Sequence, residues 1–416
     1  MARGPKQIRD ARTLTVRCLV ESSRGRRLVP EAMHRFDHAL SSRDLAFAHE
    51  MVYGTYRYLP GLEKVLARFC PKPKFPPEIR WLLLSSLYQI GFMRTKDYAV
   101  FDEANKLAVH LGYPRLKGLV NAVLRNAQRA GDALWRDKDG ADWLLPTWLK
   151  DLLASQHGAD AVADWTRTWR DRAELAYWRN DDPVSEEERR SDVVPHGFRR
   201  QSALPPEWLS EGRIYIQNES SQAVSELACR LKPKTVLDLC AAPGGKSCYV
   251  ASFGGCETLV ASDLASERVA LIEENRNRLG LDFETLCADA TQLAWDKPLC
   301  DLVMLDAPCS GIGILGRHPE IKHHKSQPAD ESLKKTQAAL LKRGWELVAP
   351  GGYLLYTVCS LDMSEVPPPP EGAVVDVQAL EHMPSGVPLT HFERLFRISP
   401  SNVFDGFCGM LLSKPK

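Results

Sequence analysis

No CxxC pair occurs anywhere in this chain, and no stretch approaches the roughly 18 consecutive apolar residues that a membrane span requires. The 11 cysteines are odd in number and scattered, so neither a disulfide framework nor a zinc site is the natural reading. Reduced thiols are expected, and no metal. The N-terminal run MARGPKQIRDAR has no apolar signal core, which makes the cytoplasm the expected compartment and a membrane an unexpected partner. Long internal repeats are missing. So are the GxxxxGK[ST] spacing of a Walker loop and the full GxGxxG of a dinucleotide site.

The chain has 416 residues, 44% of them hydrophobic, which is too long for one ordinary domain and enough to bury two or three cores. Its net charge of +1 hides an asymmetry: residues 1–130 carry 23 Lys/Arg against 11 Asp/Glu, and the remainder carries 31 against 42. A basic head on an acidic body points to a polyanion partner for the head, most simply nucleic acid. A merely soluble basic domain is the alternative that charge alone leaves open.

Residues 1–135 read as helical throughout. IRDARTLTVRCLVES places Ile8, Ala11, Leu14, Val16, Leu19 and Val20 close to one stripe with arginines opposite. RDLAFAHEMVYGTYRYLPGLEKVLARF, PEIRWLLLSSLYQIGFM and YAVFDEANKLAVHLG continue the pattern, separated by PKPKFPP and the RTKD turn. The order LAFAHEMVYGTYRY, LLLSSLYQIGFM, VFDEANKLAVHLG, GLVNAVLRNAQR resembles the NusB-like RNA-binding domain that precedes certain ribosomal RNA methyltransferases. Basic side chains on such a bundle suit phosphate and the shape of folded RNA.

Residues 136–212 are rich in tryptophan and charge, with mixed helical segments and short possible strands. In the resembled family a small α+β subdomain here helps to grip RNA. TrpArgAsn at 178–180 is an approximate echo of that family's Arg-Val-Asn strand. From about residue 213 the periodicity changes. YIQNESSQAVSELACRL reads as a helix entering a last domain, and the strands TVLDL, ETLVASD, DLVMLDAP and GGYLLYTVC alternate with the helices SERVALIEENRNRLG and ESLKKTQAALLKRGWELV. That alternation predicts a doubly wound, mostly parallel sheet.

A loop of small residues, CAAPGGK, follows TVLDL at the carboxyl end of a central strand, where open α/β sheets bind ligands. Without a pyrophosphate fingerprint, a smaller nucleoside cofactor is favoured. Asp263 lies 18 residues after Gly245, near the spacing at which an acidic side chain accepts ribose hydroxyls, and Asp289 follows a third strand where it could meet an adenine ring. Taken singly, each aspartate is equally readable as a structural turn residue. In this order they suit S-adenosylmethionine. Two cysteines, Cys309 in LDAPCSG and Cys359 in LLYTVCS, then fall at the ends of adjacent strands. One sulfur able to attack a pyrimidine ring, beside a methyl-donating cofactor, is a chemistry that needs all three pieces.

CAAPGGK, LDAPCSG with RHPEIK, and TVCS with DGFCGMLL resemble the RNA 5-methylcytosine methyltransferases of the Fmu/Sun family. The resemblance covers about four fifths of the chain and implies a multidomain protein: an all-α NusB-like bundle (1–135), a small α+β linker subdomain (136–212) and an α/β Rossmann-like class I methyltransferase domain (213–416). It implies that Cys240, Ala241, Ala242, Pro243, Gly244, Gly245, Lys246, Asp263, Asp289 and Asp306 line the S-adenosylmethionine site. It further implies that Cys359 is the nucleophile on cytosine carbon 6, that Cys309 assists release, that Asp306 meets the base's ring nitrogen and amine, and that Lys246 orients Asp306 or a thiolate.

The other thiols Cys18, Cys70, Cys229, Cys248, Cys256, Cys287 and Cys300 read as inert packing. After Cys359 the family's acidic helix is replaced by SLDMSEVPPPPEG, whose four prolines exclude a helix and leave Glu365 as the remnant of the acidic segment. A shortened sheet edge is expected there. The function expected is methylation of cytosine carbon 5 in RNA, with 16S ribosomal RNA as substrate and the protein a monomer. Transfer RNA methylation, or an RNA-binding assembly factor with a relic transferase domain, are the rivals.

Overall fold

The computed structural model describes every residue except 1–7, 9, 26–27, 37–39, 72–73, 94, 172, 180–186, 201, 203 and 325–329. Asn180 of the TrpArgAsn echo therefore lies outside the described residues. The chain divides into two compact units, Met1–Arg170 with Leu315–Gln327, and Asp171–Ile314 with Pro328–Lys416.

The first unit is helical. Ser41 caps the helix Ser42–Arg57 by accepting the Asp44 N–H at 3.2 Å, and Pro60 starts a separate helix, Leu59–Phe69, so the segment read as one run breaks at Tyr58. Pro77–Phe92 buries Ile79 and every residue from Trp81 to Gln89, which makes it the central helix of the bundle. A neighbour approaches closely: a Cβ at Gly54 would fall 2.0 Å from the Tyr88 ring, so only glycine fits there. In Lys117–Ala130 the stripe Val120, Val123, Leu124, Ala127 is buried while Arg125 and Arg129 face solvent, as the helical period requires. The helices Ala141–Leu144, Thr147–His157 and Ala159–Arg170 also belong to this unit.

The RHPEIK segment, quoted above among transferase motifs, packs within the helical unit instead. Glu320 accepts the Val29 N–H at 2.9 Å, Lys322 Nζ donates to the Arg57 carbonyl at 2.8 Å, and His323 Nε2 lies 3.1 Å from the Tyr56 carbonyl. Burial pushes the pKa values of Lys322 and His323 well down.

The second unit holds two sheets. The smaller is antiparallel, with β1 (Leu175–Trp178), β2 (Arg189–Arg190), β3 (Gly197–Arg200) and β4 (Tyr215–Ile216) in the order β2-β3-β1-β4. Tyr215 and Ile216, read from sequence as the start of a helix, pair with Trp178 and Tyr177. The helix begins at Glu219, capped by Asn218, which accepts the Ser220 N–H at 2.8 Å. Stacking of Trp178 on Tyr215, with ring centroids 5.5 Å apart, favours the strand over the helix.

The larger sheet contains β5 (Thr235–Leu239), β6 (Thr258–Asp263), β7 (Glu284–Cys287), β8 (Cys300–Asp306), β9 (Val348–Val358), β10 (Val374–Val375), β11 (Leu389–His391), β12 (Phe396–Ile398) and β13 (Phe407–Ser413). Its order is β11-β12-β13-β9-β8-β5-β6-β7, with β10 beside β13. Strands β5 to β9 run parallel, whereas β13 is antiparallel to β9 and β12 to β13. The sheet is therefore mixed, and the edge expected to be short instead continues through β12 and β11, supplied by chain beyond the proline run. Val366–Ala373 forms no helix, as four prolines demand.

Alternation in the strands builds one apolar layer on each face. Val236, Leu302, Met304 and Leu355 pack on one side, and Leu237, Leu239, Val303, Leu305 and Leu354 on the other. Each such side chain contributes roughly 1.5–3 kcal/mol by leaving water. A polar residue within these strands thus stands out, and Asp238 is one.

Candidate active site

Strands β5, β8 and β9 are neighbours, and their carboxyl ends deliver the loop at Cys240, then Asp306, then Cys359 to the same end of the sheet. A cleft of about 250 Å³ opens there. Its walls include Asp238, Ala241, Ala242, Pro243, Gly245 and Lys246 together with Asp306, Cys359 and Phe407.

The loop after β5 is tightly wound. Cys240 has φ +59° and Gly244 φ +99°, and the Ala242–Pro243 peptide is cis. A Cβ at Gly244 would press on Ile272 at 3.2 Å, so both backbone angle and space favour glycine. Cys240 packs half-buried; burial, reinforced by Asp263, pushes its thiol up to about 12, so it is a packing group. The Ala242 N–H donates to Asp263 Oδ2 at 3.0 Å. Asp263 Oδ1 accepts from Leu264 N at 2.9 Å and from Arg268 Nε at 2.7 Å. Asp289 sits on an exposed turn, where its carboxylate accepts from Thr291 N at 2.9 Å and Thr291 Oγ1 at 2.7 Å, and these bonds hold its pKa down. Neither Asp263 nor Asp289 is among the residues lining the cleft.

Two buried acceptors line the cleft without a hydrogen-bond partner among the described residues: Asp238 Oδ1 and Gln217 Oε1. The other Asp238 oxygen accepts from Ser247 Oγ at 2.5 Å. Burial pushes the Asp238 carboxyl up to about 7. Asp238 was passed over in the sequence, although a lone acid in the apolar strand TVLDL is the signal that marks it. Gln217 gives no such signal.

Lys246 Nζ meets Asp306 Oδ2 at 2.5 Å, and Thr357 Oγ1 donates to Asp306 Oδ1 at 2.9 Å, from the residue that β9 pairs with Asp306. Burial lowers the Lys246 pKa, but Asp306 outweighs it and the net shift is upward, so the ammonium persists. The same ammonium lies 5.7 Å from the Phe407 ring centroid.

The sulfurs of Cys309 and Cys359 lie 3.2 Å apart. Cys359 lines the cleft and Cys309 does not, although both are partly exposed. The hydrogen bond to Cys359, then burial and the charges of Cys359, Glu365 and Asp306, push the Cys309 thiol well up, so Cys309 keeps its proton. Of the thiols read as inert packing, Cys18, Cys248 and Cys300 are buried, Cys70, Cys229 and Cys256 are intermediate, and Cys287 is exposed. Cys287 closes an edge strand, and burial does not account for it.

Comparison with known proteins agrees with this arrangement. The 16S rRNA methyltransferase RsmB/F family matches residues 228–374, and the NusB family matches residues 9–129. The chain is 32% identical over 353 residues to the ribosomal RNA small subunit methyltransferase B of Sodalis glossinidius, covering 77% of this chain and 79% of that protein. It is also 32% identical over 345 residues to the protein of the same name from Erwinia tasmaniensis, covering 78% and 80%. The crystal structure of PH0851 superimposes with a TM-score of 0.77 at 21% identity, covering 99% of this chain and all of that one, a likeness of fold. The expected NusB-like bundle and Rossmann-like domain are thereby borne out.

Proposed function

The chain belongs to the 16S rRNA methyltransferase RsmB/F family, and from that premise we propose that it transfers a methyl group from S-adenosylmethionine to carbon 5 of a cytosine in 16S ribosomal RNA through a covalent adduct with Cys359. The observation that carries this reading is the pair of sulfurs 3.2 Å apart, of which Cys359 faces the cleft that the CAAPGGK loop also lines.

S-adenosylmethionine suits the cleft. It brings an amine and a sulfonium to a wall with two unpartnered buried acceptors, Asp238 Oδ1 and Gln217 Oε1, next to a loop whose glycines allow close approach. Ala241, Ala242, Pro243, Gly244, Gly245 and Lys246 would hold it, with Asp263 and Asp289 extending the site beyond the cleft and Cys240 fixing the loop from behind. Its chemical contribution is an electrophilic methyl group.

Carbon 5 of cytosine is a poor nucleophile until something adds at carbon 6. The Cys359 thiolate adds there, which makes carbon 5 enamine-like. Asp306, held by Lys246 and Thr357, faces the ring nitrogen and exocyclic amine and stabilises the adduct. Cys309 then assists loss of the carbon 5 proton, and the Cys359 sulfur leaves as the double bond re-forms. A thiol held protonated beside the nucleophile can donate its proton to the departing Cys359 sulfur, and the thiolate left behind then accepts the proton lost from carbon 5.

A monomeric state and action in the cytoplasm belong to the same reading; of the expected division 1–135, 136–212 and 213–416, the boundary at 135 falls inside the first compact unit, which runs to Arg170. Bisulfite sequencing of 16S ribosomal RNA from cells with and without this protein tests the function. One unconverted cytosine should become convertible when the protein is removed, and an unchanged conversion pattern would overturn the assignment.

A further inference from the structure

Each of the two thiols is followed at once by a serine, Ser310 after Cys309 and Ser360 after Cys359, and both serines reach the same carboxylate. Glu365 Oε1 accepts from Ser310 Oγ and, at 2.6 Å, from Ser360 Oγ. Glu365 Oε2 accepts from Ser310 N at 2.7 Å and Gln337 Nε2 at 3.2 Å. Four donors fill the acceptor capacity of one carboxylate that has no solvent exposure. Gln337, from the helix Glu331–Glu346, also donates to the carbonyl of Pro308, the residue before Cys309, at 2.9 Å. Glu365 is itself anchored, because Tyr356 of β9 donates to its backbone carbonyl at 2.8 Å.

We infer that Glu365 is a positioning residue that sets the two sulfurs against each other by tying the cysteine loops of β8 and β9 to one buried carboxylate. The inference rests on the roles proposed for Cys309 and Cys359 and names what holds them in register. Backbone bonds join the two loops on either side of Cys309, Ala307 N–H to the Thr357 carbonyl at 2.9 Å and Gly313 N–H to the Cys359 carbonyl at 3.0 Å, and leave the turn between them to be fixed through its side chains. Charge-assisted bonds to a single acceptor fix it, since moving either loop strands donors against a buried anion. The negative charge also contributes to keeping Cys309 protonated. Glu365 lies outside the cleft, so cofactor affinity does not depend on it.

The test uses the full chain and needs no RNA, so its failure is separable from failure of the proposed activity. Diamide joins two nearby thiols: the S–S bond forms as its N=N group takes up the two electrons and two protons released. Closure of Cys309 on Cys359 is followed by peptide mass spectrometry. Glu365→Ala should slow closure at least about tenfold, because a displacement of about an ångström is enough to spoil a proximity reaction. Glu365→Gln keeps the size and loses the charge. It keeps one acceptor oxygen for the two serine hydroxyls and loses the other, so it should close faster than Glu365→Ala and slower than wild type, and its Cys309 alkylation by iodoacetamide should reach half-maximum at a pH lower by about one unit. A purely structural role would leave that midpoint in place.

If Glu365→Ala does not fold, Ser310→Ala and Ser360→Ala each remove one tether, and each should slow closure. Wild-type closure rates in folded Glu365→Ala, or in both serine variants, would overturn the inference, as would an unmoved alkylation midpoint in Glu365→Gln.

Discussion

Cys309 and Cys359 lie fifty positions apart in the chain, yet their sulfurs are 3.2 Å from each other, closer than a substrate base could slip between. Of the two, Cys359 lines the cleft. In the proposed route their steps are therefore sequential, with Cys359 forming the bond and Cys309 serving its release.

Cys359→Ala should abolish methyl transfer while changing S-adenosylmethionine affinity by less than about threefold, because the nucleophile is reserved for the base. Isothermal titration of the cofactor alongside a methyl-incorporation assay checks both halves. Near-normal turnover would remove Cys359 from the mechanism.

Asp238 ties stability to pH. Its carboxyl ionises at about 7 in the folded protein, so between its ordinary value near 4 and about 7 the folded state holds a proton that the unfolded chain has lost. Stability from this residue therefore falls as pH rises through that window and levels off above it, by on the order of 4 kcal/mol. Asp238→Asn should flatten the fall between pH 5 and pH 8 in urea unfolding. Buried His323, with its depressed pKa, acts in the opposite sense and is common to both proteins. An equal fall in the variant would show that Asp238 does not carry the effect.

Gly244→Ala places a Cβ 3.2 Å from Ile272 at a φ of +99°. Backbone strain of this kind costs about 1–3 kcal/mol. Thermal unfolding should shift down and cofactor affinity should weaken, since the strained loop is also a wall of the cleft. Wild-type values for both would mean that the loop relaxes freely.

The sequence reading reached most of the site because its parts are local. CAAPGGK, LDAPCSG and TVCS each sit within a few residues of a strand end, and a strand-loop pattern fixes where they go. Glu365 was visible only as a stray acid before four prolines. Its significance depends on Ser310, 55 residues away, and sequence spacing does not disclose that pairing. The helical unit's claim on RHPEIK was equally hidden, since Glu320 and Lys322 find backbone partners at Val29 and Arg57, 291 and 265 residues distant. Tyr215 and Ile216 were misread for a simpler reason. No glycine or proline separates them from the helix that Asn218 caps, so little in the residue types marks the boundary.

Arg115, Lys117 and Arg125 are exposed on the helical unit, within the basic first third of the chain. Replacing all three by Gln should weaken RNA binding and flatten the plot of log affinity against log salt by up to about 2, at roughly 0.7 for each phosphate no longer neutralised. The measurement is a filter-binding titration at several salt concentrations. An unchanged slope would mean that these cations do not touch phosphate.

The covalent adduct is the most direct test. If Cys309 serves only release, Cys309→Ala should still add Cys359 to carbon 6 and transfer the methyl group, then stall as a protein-RNA species that survives denaturing electrophoresis, because a carbon-sulfur bond does not depend on the fold. Cys359→Ala and the double variant should give no such band. A band from Cys359→Ala that disappears in the double variant would mean that the two thiols have exchanged roles, and no band from any variant would contradict the covalent route altogether.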